Sequence, residues 1–235
     1  MAGFREFQTG EVLTAANVDD FLMKQAVMKF ADSAARDTAL GTAVGGSNAL
    51  REGMVVYLDD TNEVLKYDGT AWDTVGGGLV AVKHALFTGT QTNSTAGGAN
   101  FAVTDLSITH TLADASNKLI ISAYIGAAGS SQDRSGVGIT VADDGTAIVL
   151  GDAASNRNRV GAGGLEAGTA AWAVRSLSIT FVYEPGDTNS HTYTVRAINA
   201  ESGTETVYIN RTENDSDQGV YVRASSGFVI QEVKA

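Results

Sequence analysis

The chain contains no cysteine. It therefore has no disulfide framework and no thiolate metal site. Small secreted animal domains often carry disulfides, so this absence leans toward a bacterial or viral setting. Proline is nearly absent as well, with Pro185 alone. Aromatic residues make up only 7 %. No run of about 18 apolar residues occurs, which excludes a transmembrane helix and gives the expectation of no membrane insertion. The opening stretch, MAGFREFQTGEV, lacks the basic and apolar regions of a signal peptide. Cationic residues are in deficit: 16 Lys and Arg face 27 Asp and Glu, for a formal net charge of -11. That balance argues against nucleic acid and against an anionic membrane surface as partners. Solubility is the plain reading of the charge.

What the chain has is glycine, 27 of them, and small or β-prone residues throughout. Such a composition reads as many short strands joined by tight turns. The 235 residues suit one large all-β domain, or a small module with a medium domain.

Residues 1–48 differ from the rest. Thr14 can cap a helix that starts near Ala15 and runs to about Phe30, with Asp19 and Asp20 early and Lys29 late, as the helix dipole favours. Its apolar residues, Val18, Phe21, Leu22, Met23, Ala26, Val27, Met28 and Phe30, point almost all round the axis. A helix of that kind wants cover on several sides, which implies a partner or symmetry copies. A second short helix is expected at about Ser33 to Leu40, then a small-residue linker, GTAVGGSN.

Residues 49–78 read as a small β meander: strands at Gly53 to Leu58, Glu63 to Tyr67 and Ala71 to Val75, with turns at DDTN and Asp68-Gly69. Residues 79–235 read as an antiparallel β-sandwich. Strands are expected at 79–87, 105–112, 118–125, 136–142, 146–150, 176–183, 191–198, 204–210 and 226–234. Two Gly-, Asn- and Arg-rich loops are expected near 126–135 and 151–170. No helix-length repeat and no βαβ alternation is visible, so a parallel sheet is not expected.

The segment Phe7-Gln-Thr-Gly-Glu-Val-Leu-Thr-Ala-Ala-Asn-Val, followed by Leu22-Met-Lys-Gln-Ala-Val-Met, resembles the N-terminal segment of phage tail-fibre and virion structural proteins. Glu52-Gly-Met-Val-Val-Tyr-Leu, Asp60-Thr-Asn and Tyr67-Asp-Gly-Thr-Ala-Trp72 are similar to a small β motif common in them. By strand count and length, the remainder resembles the jelly-roll knobs of phage fibres and head decorations, of C1q and tumour-necrosis-factor shape. The resemblance implies a homotrimeric virion subunit, made in a bacterial cytoplasm and anchored to a tail or capsid protein through its N-terminal segment. The anchor residues would be Phe7, Val18, Phe21, Leu22, Met23, Val27, Met28 and Phe30. The sandwich would face a host-surface glycan as a tail fibre, or staple the capsid as a decoration protein. A glycan-binding or glycan-cleaving module is the remaining alternative.

Residues that could carry chemistry are few. His84 and His110 lie on apolar strand faces and read as buried or interface histidines with satisfied hydrogen bonds. No further ligands stand at zinc-like spacing, and no G-x-S-x-G elbow occurs. The reading is therefore not an enzyme, with no catalytic residue, cofactor or metal assigned. Asp143-Asp144-Gly145 reads as turn chemistry. Asp215 and Asp217 are either Ca²⁺ ligands or part of a solvated loop. Arg157 and Arg159 either pair with acidic groups of a neighbour or host sugar, or stay solvated. Trp72 reads as core of the small β unit. Trp172 is either a sugar-stacking residue or a plug at one end of the sandwich.

Overall fold

A computed structural model describes residues 10, 12, 14, 27–41, 50–76, 78–131, 134–167 and 172–234. The body of the expected N-terminal helix, residues 15–26, lies outside the described residues, and so do the anchor candidates Phe7, Val18, Phe21, Leu22 and Met23. The chain is mainly β and divides into two compact units, Met1–Gly77 and Gly78–Ala235.

The first unit contains β1 (Met28–Phe30), α1 (Ser33–Leu40), β2 (Val55–Leu58), β3 (Glu63–Tyr67) and β4 (Trp72–Thr74). Helix α1 stands where expected. Asp32 Oδ1 accepts the Ala35 N–H at 2.7 Å, the bond that fixes an N-cap. Gly41, at φ 74°, ends the helix.

The end of the expected first helix is corrected. Met28, Lys29 and Phe30 form β1, not a helical turn. Their burial alternates with period two: Met28 and Phe30 pack on the small core of Val56, Leu58 and Leu65, while Lys29 reaches out to Asp59 at 3.1 Å. The sheet of this unit holds one parallel pair. β1 runs parallel to β2, with Met28 opposite Val56, and α1 makes the crossover between them. The rest of the sheet, β2-β3-β4, is an antiparallel meander. Trp72 packs on Tyr67, and the Arg36 guanidinium lies 4.9 Å over its ring.

The second unit contains β5 (Leu79–Phe87), β6 (Gln91–Thr95), β7 (Asn100–Thr111), β8 (Lys118–Ser130), β9 (Arg134–Asp143), β10 (Thr146–Ala147), β11 (Ala162–Ala167), β12 (Arg175–Tyr183), β13 (Ser190–Asn199), β14 (Glu205–Ile209) and β15 (Ser226–Val233). One sheet has the order β5-β15-β8-β14-β6, with β12 on the other edge of β8. The second sheet has the order β7-β13-β9-β10, with β11 also on β9. Every pairing described in this unit is antiparallel.

Both sheets turn their apolar positions onto one core. Ile121, Ile125, Phe228 and Ile230 come from the first sheet, and Leu106, Ile139, Val141 and Val195 from the second. Fully burying one such side chain contributes roughly 1.5–3 kcal/mol.

Both expected loops are partly strand. β8 continues through Gly126 and Gly129 to Ser130. A Cβ on Gly126 would meet the Ser225 carbonyl oxygen at 2.2 Å, and one on Gly129 the Ala173 carbonyl oxygen at 2.6 Å. These glycines are present for close backbone approach. β11 lies inside the expected loop 151–170, where Gly163 packs so tightly on β9 that a Cβ would reach the Gly138 Cα at 2.9 Å. β7 begins five residues before the expected 105. Asp105, at φ 59°, sits where the β7–β13 register shifts, so the inward set changes from Phe101 and Val103 to Leu106 and Ile108. That change of parity breaks the alternation that sequence reading relies on.

Candidate functional site

The outward face of the β5-β15-β8-β12 sheet is built by strand alternation. Residues 121, 123 and 125 of β8 point into the core, so 120, 122 and 124 point away. The register sets three rows across the sheet. Leu86, Gly227, Tyr124 and Ser178 form one row. His84, Val229, Ser122 and Thr180 form the next, and Val82, Gln231, Ile120 and Val182 the third. None of these is Asp, Glu, Lys or Arg. Val82, Leu86, Tyr124 and Val182 are between 44 and 59 % exposed, high for such side chains on neighbouring strands. Ser122 and Thr180 tie two strands together through their hydroxyls at 3.0 Å. Lys118, which pairs with Glu184 at 2.7 Å, is at the rim.

A second cluster lies where β9 turns into β10 beside the start of β13. Asp144 and Gly145 both take positive φ, 45° and 88°, in the two-residue loop between Asp143 and Thr146. The expected turn chemistry at Asp143-Asp144-Gly145 thus holds. Antiparallel pairing puts Tyr193 opposite Asp143 and brings His191 in beside it. His191 Nδ1 is 2.9 Å from Asp143 Oδ1 and 3.5 Å from Asp144 Oδ2; its Nε2 is 3.1 Å from Asp187 Oδ1. The bond to Asp187 and, after the opposing effect of burial, the bond to Asp143 raise the imidazole above its ordinary value. Tyr183 donates its hydroxyl to Asp143 Oδ2 at 2.9 Å. Burial first, then that bond and the surrounding carboxylates, push the Tyr183 phenol up to about 12. Sequence reading missed this cluster because His191 and Asp143 are far apart in the chain. Only the β9–β13 register joins them.

His110 is buried, as expected, but only half satisfied. Its Nε2 meets Glu232 Oε2 at 2.9 Å, while Nδ1 has no partner. Glu232 also accepts from Asn117 Nδ2 and the Ala113 N–H. His84, expected on an apolar face, is exposed on the outward face just described.

Among the remaining sequence candidates, Val27 is 60 % exposed, whereas Met28 and Phe30 are partly buried in the first unit's own core. Trp172 does not plug the core: it is 54 % exposed and meets Tyr221 in a tilted ring contact, with ring centroids 5.4 Å apart. Arg157 lines a surface cleft of about 670 Å³ together with Asn156, Asn158 and Glu201. Arg159 is exposed, and its Nε donates to the Gly151 carbonyl at 2.6 Å. Asp215 faces Arg223 at 2.6 Å and Arg211 at 3.5 Å, so guanidinium groups already occupy one of the two candidate Ca²⁺ ligands. No known protein family matches the chain, and no curated sequence matches it.

Proposed function

We propose that this chain is a non-enzymatic structural subunit of a bacteriophage virion. In this reading it is a homotrimeric fibre-type protein whose N-terminal segment docks on the particle and whose C-terminal unit faces the host surface. The observation that carries the reading is the uncharged outward face of the β5-β15-β8-β12 sheet. Each copy bears a net charge of -11, so copies repel unless they meet on a neutral surface. A strip of Val, Leu, Ile and Tyr bordered by Ser, Thr and Gln meets that requirement. A symmetric oligomer also removes an apolar patch from water.

The chain path supports a jelly roll of C1q or tumour-necrosis-factor type. β5, β8, β12 and β15 lie in one sheet, and β7, β9, β11 and β13 in the other, so the chain crosses repeatedly between sheets in the Greek-key manner. The virion assignment rests on the likeness of segments 7–28 and 52–72 to phage fibre proteins. The β2-β3-β4 meander is consistent with the second of these. The second reading is a trimeric decoration protein that staples capsid subunits, an assembly that the same uncharged face would serve.

The test is the mass of the full chain in solution, beside a variant carrying Val82→Glu and Val182→Glu. The expected native mass is three times 24.3 kDa for the unmodified chain and 24.3 kDa for the variant, with the same circular dichroism. A monomeric unmodified chain at tens of micromolar overturns the trimer. Immunogold labelling of phage particles then separates tail from head, and no label on either overturns the virion reading.

A further inference from the structure

The Asp143, Asp144 and His191 cluster has the organisation of a metal centre. Each of the three side chains has one atom held from outside the cluster and another turned inward. Asp143 Oδ2 accepts the Tyr183 hydroxyl at 2.9 Å, leaving Oδ1 inward. Asp144 Oδ1 accepts the Thr192 N–H at 2.9 Å, leaving Oδ2 inward. His191 Nε2 is tied to Asp187 at 3.1 Å, leaving Nδ1 inward. Outer partners of this kind, above all a carboxylate on the far nitrogen of a histidine, orient metal ligands and strengthen their basicity.

The spacing of the three inward atoms fits an ion. One ligand atom from each of Asp143, Asp144 and His191 lies within 4.8 Å of the others. The Nδ1 to Asp143 Oδ1 and Nδ1 to Asp144 Oδ2 separations are 2.9 and 3.5 Å. Ligands about 2.1 Å from a common ion stand roughly 3.0 Å apart at octahedral angles and roughly 3.4 Å apart at tetrahedral ones. The Asp143 side chain is 8 % exposed, that of His191 18 % and that of Asp144 58 %, so the site has a buried floor and an open side where waters complete the shell.

We infer that Asp143 Oδ1, Asp144 Oδ2 and His191 Nδ1 bind one divalent first-row transition ion of the Zn²⁺ class, with Tyr183, Thr192 and Asp187 as its outer support. The imidazole nitrogen selects this class over Ca²⁺ and Mg²⁺, which take all-oxygen shells. On binding, the Nδ1 proton leaves to solvent and the Nδ1 lone pair forms the metal bond; no bond in the chain breaks. The ion would fasten the β9–β10 hairpin to β13 and to the turn at Asp187.

The test is calorimetric titration of the untagged, chelator-treated full chain with ZnCl₂, repeated with CoCl₂ while its visible absorption is followed. Asp144→Asn is the informative variant. Its exposed side chain keeps Oδ1 for Thr192 and loses only the inward oxygen, so folding is preserved. We expect one Zn²⁺ per chain, affinity at least about tenfold weaker in Asp144→Asn, and a loss of about 10- to 100-fold in Tyr183→Phe. No binding at about 1 mM Zn²⁺, a concentration that would reveal even weak carboxylate–imidazole sites, overturns the inference. Binding that is unchanged in Asp144→Asn overturns it as well, because the ion would then sit elsewhere.

Discussion

Tyr124 lies across Gly227. A Cβ on Gly227 would stand 2.4 Å from the Tyr124 ring, and the two residues are directly paired between β8 and β15. The missing side chain on one strand is the seat for the aromatic ring on the next, and this sets the contour of the outward face.

Gly227→Ala should therefore push the ring off its seat without harming the core. The ring is the free end of a flexible side chain, so monomer stability should fall by less than about 1.5 kcal/mol. Assembly through the face should weaken instead. Native mass spectrometry beside a denaturant melt checks both. A large loss of stability with assembly intact would mean that the ring has nowhere to go.

Ile120 and Ile121 test which face is which. Ile121 is fully buried, and Ile121→Ala should cost about 2–5 kcal/mol in urea unfolding. Ile120 points outward, so Ile120→Ala should cost well under about 1 kcal/mol in the separated subunit. Equal costs would contradict the strand register.

Glu232 should give the fold an acid-sensitive limb. Burial alone would push this carboxyl up, but the donors Asn117, Ala113 and His110 prevail and hold it below its ordinary 4.5. A depressed folded value contributes stability above pH 4.5, which is lost as pH falls through the folded value. Glu232→Gln should cost about 2 kcal/mol at pH 7, since it removes charge-assisted bonds. It should also make stability less steep in pH below 4.5. Urea midpoints from pH 3 to 7 read both effects.

Exposed Trp172 and half-buried Tyr221 form an aromatic pair at the surface of the second unit. Trp172→Ala should leave stability within about 0.5 kcal/mol, as exposed substitutions do. If this pair contacts the host surface, adsorption of the protein to host cells should drop more than about tenfold, as for a hot-spot tryptophan. Undiminished adsorption would move the contact to another part of the molecule.

The sequence by itself determined the β character, helix α1 and most strands of the second unit. In those strands a period of two acts within a few positions, as in Leu177, Ile179 and Phe181. It also determined the hairpin turns at Asp68-Gly69 and Asp144-Gly145, because positive φ selects Gly, Asn and Asp locally. The tertiary structure decided what depends on distant partners. Met28 and Phe30 read as the end of a helix, and only the small core of Leu58 and Leu65 claimed them for a strand. Gly126 and Gly129 looked like a loop, because the carbonyls of Ser225 and Ala173 that require their bareness are far along the chain. His191 met Asp143 only through the β9–β13 register, and the uncharged face became continuous only when four strands aligned. Local steric rules can be read from neighbouring residues, whereas register and close packing arise between segments that the sequence does not place side by side.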